Sequence, residues 1–172
     1  VPAHFHARYS APARTYRYVI LNRPVRSALD RHRAWQLRVP IDAAVMQVAA
    51  SHLIGEHDFS SFRAAGCQSK NPVRRIEALE VVRHGEHVVI EVRANGFLYH
   101  MVRNIVGSLV RVGTGEAQAT WLVELLALKD RRVAAPTAPS AGLFLAAVHY
   151  PEVFGLPVPS SRLVSSAEWR DR

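Results

Sequence analysis

Apolar and polar residues alternate from Arg14 to Leu21, with Tyr16, Tyr18 and Ile20 on one face of a run rich in aromatic and β-branched side chains. That pattern predicts a strand. From Asn22 to Pro40 the chain turns to arginine, proline and small polar residues, as a loop does, and Asp42 then stands where a helix N-cap is expected. Val45, Val48, Ala49, His52 and Leu53 recur at helical spacing, with Gly55 as the stop. His52 in such a stripe reads as a core histidine rather than a ligand. Residues 58 to 72 are polar and turn-rich, a long surface loop with Phe59 and Phe62 as anchors.

Arg75 to Val82 and His87 to Ala94 are rich in valine and isoleucine and meet at His84-Gly85-Glu86, a hairpin signal. Leu98, Met101, Val102, Ile105, Val106, Leu109 and Val112 form one apolar stripe, predicting an amphipathic helix over Phe97 to Val112 that Gly113 and Gly115 end. Thr120 is positioned to cap a further helix over Trp121 to Leu128. Lys129-Asp130-Arg131-Arg132 and the alanine- and proline-rich stretch after it read as a linker, and Leu143 to His149 as a last strand. The order strand, helix, strand, strand, helix, helix, strand predicts an α+β fold. Its form is a mainly antiparallel sheet with helices on one face, in a split βαβ arrangement. One domain is expected over residues 1–156, followed by a flexible tail over 157–172.

Composition narrows the class. In a chain of 172 residues, 49% are hydrophobic and 21% charged, as in ordinary folded domains. No apolar run approaches the ~20 residues that cross a bilayer, so no membrane association is expected. A lone cysteine, Cys67, excludes an intrachain disulfide and suits a reducing cytoplasm. The first residues have neither the apolar core of a secretory signal nor an initiator methionine, which leads to the expectation of a piece of a longer chain. The net charge of +8 favours a polyanionic partner. Arg8, Arg14, Arg17, Arg31, Arg33, Lys70, Arg74 and Arg75 fall in or near predicted loops and strand ends, where they can meet phosphates without disturbing a core. Neither His4 and His6 nor His84 and His87 stands with Cys, Asp or Glu at ligand spacing, so no metal site is expected.

Several separated segments then resemble one family. Phe5-His6-Ala7-Arg8-Tyr9-Ser10-Ala11, Arg14-Thr15-Tyr16-Arg17-Tyr18, Gly55 to Arg63, Asn95-Gly96-Phe97-Leu98-Tyr99-His100-Met101-Val102-Arg103-Asn104-Ile105-Val106-Gly107 and Ala141-Gly142-Leu143-Phe144-Leu145 are similar, in order, to the C-terminal portion of the tRNA pseudouridine synthase A family. The resemblance implies an enzyme that isomerises uridine to pseudouridine in the anticodon stem-loop of tRNA, as a homodimer, with no cofactor and no metal. The reaction breaks a C–N glycosidic bond, turns the uracil and rejoins it through carbon, on a base that has left its stack.

By the same resemblance Tyr16 is the active-site tyrosine beside the uracil, Arg103 the cation that pairs with the catalytic aspartate, and Leu143 the apolar wall. Arg8, Arg14, Arg17, Lys70 and Arg74 join Tyr16 in holding the substrate. The family's Arg-Thr-Asp-Ala-Gly-like motif occurs nowhere in the sequence, so the nucleophilic aspartate is expected from the N-terminal half of the enzyme, as a partner, and the chain alone is expected to be inactive. Asp58 reads as structural or loop-capping. The residues alone also admit plainer roles: Tyr16 as a strand tyrosine, Leu143 as core, and Arg103, about 140° round a helix from Leu98, as a solvated side chain. A noncatalytic basic RNA-binding module is the alternative function, although the central hairpin, ending Val-Val-Ile-Glu-Val, lacks the stacking aromatics of an RNA-recognition motif. An interaction or dimerisation domain is a third.

Overall fold

The computed structural model describes residues 5–156; the tail expected over 157–172, and His4, lie outside the described residues. Nine principal elements follow one another: β1 (Ala13–Asn22), β2 (Trp35–Leu37), α1 (Ala43–Ser51), β3 (Gly55–Asp58), β4 (Val73–His84), β5 (His87–Ala94), α2 (Met101–Gly113), α3 (Trp121–Leu128) and β6 (Leu143–His149). The six strands form one mixed sheet in the order β2-β1-β5-β4-β3, with β6 also on β1. β1 is antiparallel to β5, and β5 to β4, so β1 and β4 run the same way with β5 between them, which is the split βαβ arrangement. β6 and β2 share the other edge of β1 in tandem: β6 pairs with Ala13 to Tyr18 and β2, in parallel, with Ile20 to Asn22.

Strand alternation sorts the side chains. Tyr18 and Ile20 of β1, Leu79 and Val81 of β4, and Val88, Ile90 and Val92 of β5 enter a core with Met46, Leu109 and Leu122 from the three helices. Phe59 and Phe62, both fully buried, anchor their loop as expected, and withdrawing each ring from water stabilises the fold by about 2–3 kcal/mol. On the opposite face Val19 and Leu21 with Ala34 make only a small cluster, and charged side chains dominate. Where β3 ends, the free edge of β4 is covered by α1. The Gln47 side chain accepts from the Val81 amide at 2.6 Å and donates to the Leu79 carbonyl at 3.4 Å, occupying groups that would otherwise invite edge pairing.

Several boundaries differ from the pattern. The loop between β1 and α1 contains β2, too short for periodicity to reveal, and the next loop begins with β3. In α1 Asp42 caps as expected, accepting from the Ala44 and Val45 amides at 2.8 and 3.1 Å, but the buried face is Met46, Ala49, Ala50 and Leu53, while Val45 and Val48 are exposed. His52 is half-buried and ends that helix. The second helix begins at Met101 rather than Phe97 because His100 takes a left-handed conformation (φ 57°), which breaks the backbone hydrogen-bond pattern there. Leu98 therefore packs in the core from outside the helix. Thr120 precedes α3 without a side-chain capping bond. The stretch after α3 is not an open linker: Ala135 and Ala138 are buried, and the Pro136 carbonyl lies where a Cβ on Gly107 would approach within 2.1 Å. Only glycine permits that approach.

Candidate active site

β1 carries Tyr16 and Tyr18 on its helix-covered side. Tyr18 is fully buried and its hydroxyl donates to the Pro139 carbonyl at 2.7 Å. Burial pushes its phenol well up, and the Arg103 charge nearby offsets this only in part. Tyr16, one step nearer the start of the strand, is half-buried and meets Phe97 edge-on, ring centroids 5.0 Å apart at 86°. Its hydroxyl makes no hydrogen bond among the described residues. Leu145 lies directly across from Tyr16 on β6 and is 54% exposed, so this end of the face opens to solvent. Leu143 lies across from Tyr18, diagonal to Tyr16. A β-bulge between Thr15 and Tyr16 shifts the β1–β6 register at this point.

Arg103, the third residue of α2, reaches the same region. Its Nε donates to the Ala138 carbonyl at 2.7 Å and its Nη1 to His100 Nε2 at 3.2 Å. His100 stacks on Tyr99, centroids 3.9 Å apart. Burial, and after it the Arg103 charge, hold its imidazole below the ordinary histidine value, so it accepts as a neutral ring. Arg103 is thus a half-buried guanidinium oriented by two neutral acceptors, with no carboxylate in ion-pair reach among the described residues.

Asn104, fully buried beside it, ties three segments together. Its amide donates to the Phe62 carbonyl at 2.7 Å. Its oxygen accepts from Thr137 Oγ1 at 2.6 Å and from Arg131 Nη2 at 3.1 Å.

The other expected residues divide. Arg14 lies on the Tyr16 side of β1 and donates to the Arg8 carbonyl. Arg8 is exposed, its guanidinium 5.8 Å from the Tyr9 ring centre. Arg74, held by the Asn71 and Val73 carbonyls and Ser69 Oγ, stands beside Gly96, next to Phe97. Lys70 and Arg75 are exposed nearby, on the loop before β4 and at its start. Arg17 stands apart: it points to the opposite face and pairs with the buried Glu91 at 2.5 Å. Arg31 and Arg33 are exposed between β1 and β2, where Arg31 lines a cleft of about 990 Å³ with Arg26, Arg38 and Trp35. Asp58 accepts from the Ser60 amide and hydroxyl at 2.9 and 2.6 Å and lies 3.3 Å from Lys129 Nζ, so it caps its loop as read. Among the described residues no group of His, Cys, Asp and Glu could hold a metal, and no helix is long and apolar enough to cross a membrane.

The fold brings Tyr16, Arg103 and Leu143, all expected from the sequence, to one region, and sets beside them Phe97, His100, Asn104 and Leu145, which no pattern marked although all four lie within the segments that resemble the family. Arg131 and Thr137 carried no local signal at all, since their partners are distant in the chain.

A family model described as tRNA pseudouridine synthase matches residues 49–151. Among similar proteins, the tRNA pseudouridine synthase A of Klebsiella pneumoniae (strain 342) is 52% identical over 158 residues, covering 92% of this chain and 58% of that protein. That of Methylococcus capsulatus is 54% identical, covering 89% and 56%, and that of Yersinia pestis 50% identical, covering 89% and 58%. The chain therefore spans less than two thirds of the relatives it matches.

Proposed function

Because this chain belongs to the tRNA pseudouridine synthase family, we propose that it forms one side of a pocket in which a uridine flipped out of the anticodon stem-loop of tRNA is converted to pseudouridine. The observation that carries this reading is Arg103, a half-buried cation whose described partners are all neutral. A carboxylate in a water-excluding pocket has its pKa raised by desolvation, and a guanidinium beside it reverses that shift. Arginine suits the task because its planar fork holds a carboxylate through two bonds and stays charged when buried.

In this reading the Tyr16 ring and its free hydroxyl face the uracil, and Leu143, with Leu145, supplies the apolar wall. Arg8, Arg14, Lys70 and Arg74 meet the tRNA backbone, and the working assembly is a homodimer. Arg17, already neutralised by Glu91, contributes to the strand rather than to the phosphates. The nucleophilic aspartate comes from a segment outside these 172 residues, since the motif that bears it in the family is absent from the sequence and Asp58 is engaged by Ser60 and Lys129.

The test is tritium release from tRNA labelled at C5 of uracil. The 172-residue chain alone should bind tRNA and release nothing above background, and adding the remainder of the enzyme in trans should restore release. Release by the chain alone would place the carboxylate within it and end this division of labour.

A further inference from the structure

Arg103 Nε donates to the carbonyl of Ala138, and the Ala138 amide donates back to the Arg103 carbonyl at 3.2 Å. The direction of the guanidinium is therefore set by a loop residue, and the question becomes what holds that loop. Residue 137 answers it. The Thr137 hydroxyl donates to Asn104 Oδ1 at 2.6 Å and accepts from Arg131 Nη2 at 3.0 Å, while Arg131 also donates to Asn104 Oδ1. Asn104 is in turn fixed by its bond to the Phe62 carbonyl. One residue before Thr137, the Pro136 carbonyl lies where a Cβ on Gly107 would approach within 2.1 Å, a close approach to α2 that only glycine permits there.

We propose that Asn104, Arg131 and Thr137 are positioning residues that aim Arg103 by fixing the Ala138 carbonyl. The relay is closed: every polar atom of the Asn104 side chain is engaged, and Thr137 uses its hydroxyl both as donor and as acceptor. Arg131 is half-buried with neutral partners, a position whose burial lowers its pKa. A cation is thereby held close to the network with no anion among the described residues to compete for Arg103. With Nε on the Ala138 carbonyl and one Nη1 proton on His100, Arg103 keeps Nη2 and its other Nη1 proton for a bidentate carboxylate, whereas a guanidinium held by a side-chain anion would not.

The inference rests on the proposed role of Arg103, so its test has an arm that does not depend on turnover. In the 172-residue chain, the Arg103 Nε–H should give a protected NMR signal that is lost in Thr137→Val and kept in Thr137→Ser. In the full-length enzyme Thr137→Val should lower kcat roughly 10-fold, as misplacement of a reacting group does, with KM for tRNA unchanged. It should also move the acid limb of the kcat profile to higher pH, because a poorly aimed Arg103 leaves the carboxylate more easily protonated; Thr137→Ser should restore both. If Thr137→Val does not fold, Arg131→Met is read in the same way. A protected Nε–H and an unshifted acid limb in the valine variant, or in Arg131→Met read in its place, would overturn the relay. A wild-type enzyme without pseudouridine formation would instead overturn the proposed function, with the NMR arm still deciding the relay.

Discussion

Arg17 and Arg103 are both half-buried and lie on opposite sides of one sheet, yet among the described residues only Arg17 has a carboxylate partner. On the open face the charges are matched in pairs, Arg17 with Glu91 and Arg93 with Glu77 at 2.7 Å. On the helix-covered side Arg103 is oriented by a carbonyl and a neutral imidazole, which direct a guanidinium without cancelling its charge. A matched pair has little left to offer a ligand, whereas an aimed, uncancelled cation does. The contrast separates charge spent on the fold from charge held in reserve.

The sharpest way to break that contrast is Arg103→Lys in the full-length enzyme. Lysine keeps the charge but cannot reproduce the fork or the Ala138 bond together, so pseudouridine formation should fall by about 100-fold with an unchanged melting temperature. Normal turnover in that variant would mean the guanidinium geometry is irrelevant. Tyr16→Phe comes next. Its hydroxyl has no described partner to lose, so stability should be spared while turnover drops about 10-fold, the worth of one hydrogen bond to the substrate. A clear fall in melting temperature would instead make Tyr16 a core residue.

Glu91→Gln probes the other face. It should cost about 1 kcal/mol of stability, since it strips a buried charge partner from an arginine that water still partly reaches, and should leave turnover alone. A loss of activity at constant stability would show that the open face also meets RNA. The smallest effect belongs to Asp58→Asn, about 0.5 kcal/mol for a weakened cap, with activity intact. Burial would raise the Asp58 carboxyl, but the Ser60 donors and Lys129 outweigh it and hold it below the ordinary value. Its contribution is therefore complete above about pH 4 and disappears as pH falls through the depressed value. Denaturant titrations of both forms down to pH 2 should converge.

Legibility in the sequence followed the range of the interactions. The β4–β5 hairpin and β6 were readable because valine-rich alternation and a Gly85 turn are local, and β5 and β6 fall on the residues expected. The face of α1 was legible only in part, Ala49 and Leu53 being buried as expected, because Ala and Val lie all round that helix and only packing against β4 and α2 selects Met46 and Ala50 over Val45 and Val48. The start of α2 was hidden by a single residue, His100, adopting a conformation its composition does not announce. At the candidate site Tyr16 and Arg103 were named through a family resemblance, not through periodicity. The alanine- and proline-rich stretch looked like a linker because its anchors, Asn104 and Gly107, lie about one helix earlier in the chain and act through a carbonyl and a missing Cβ.

The crossing of Gly107 beneath Pro136 also orders events in time. Strands β1, β4 and β5 can pair, and α2 can dock on them, before residues 134–138 have any role, whereas the setting of Arg103 exists only once that loop has closed over the helix. Two small buried side chains, Ala135 and Ala138, and a few polar bonds hold the loop, and a segment held so is expected to open locally before the paired strands do. Amide exchange should therefore be faster at Ala138 than at Val89 or Ile90, and the competence of the site becomes a property that is assembled last and lost first as the protein breathes.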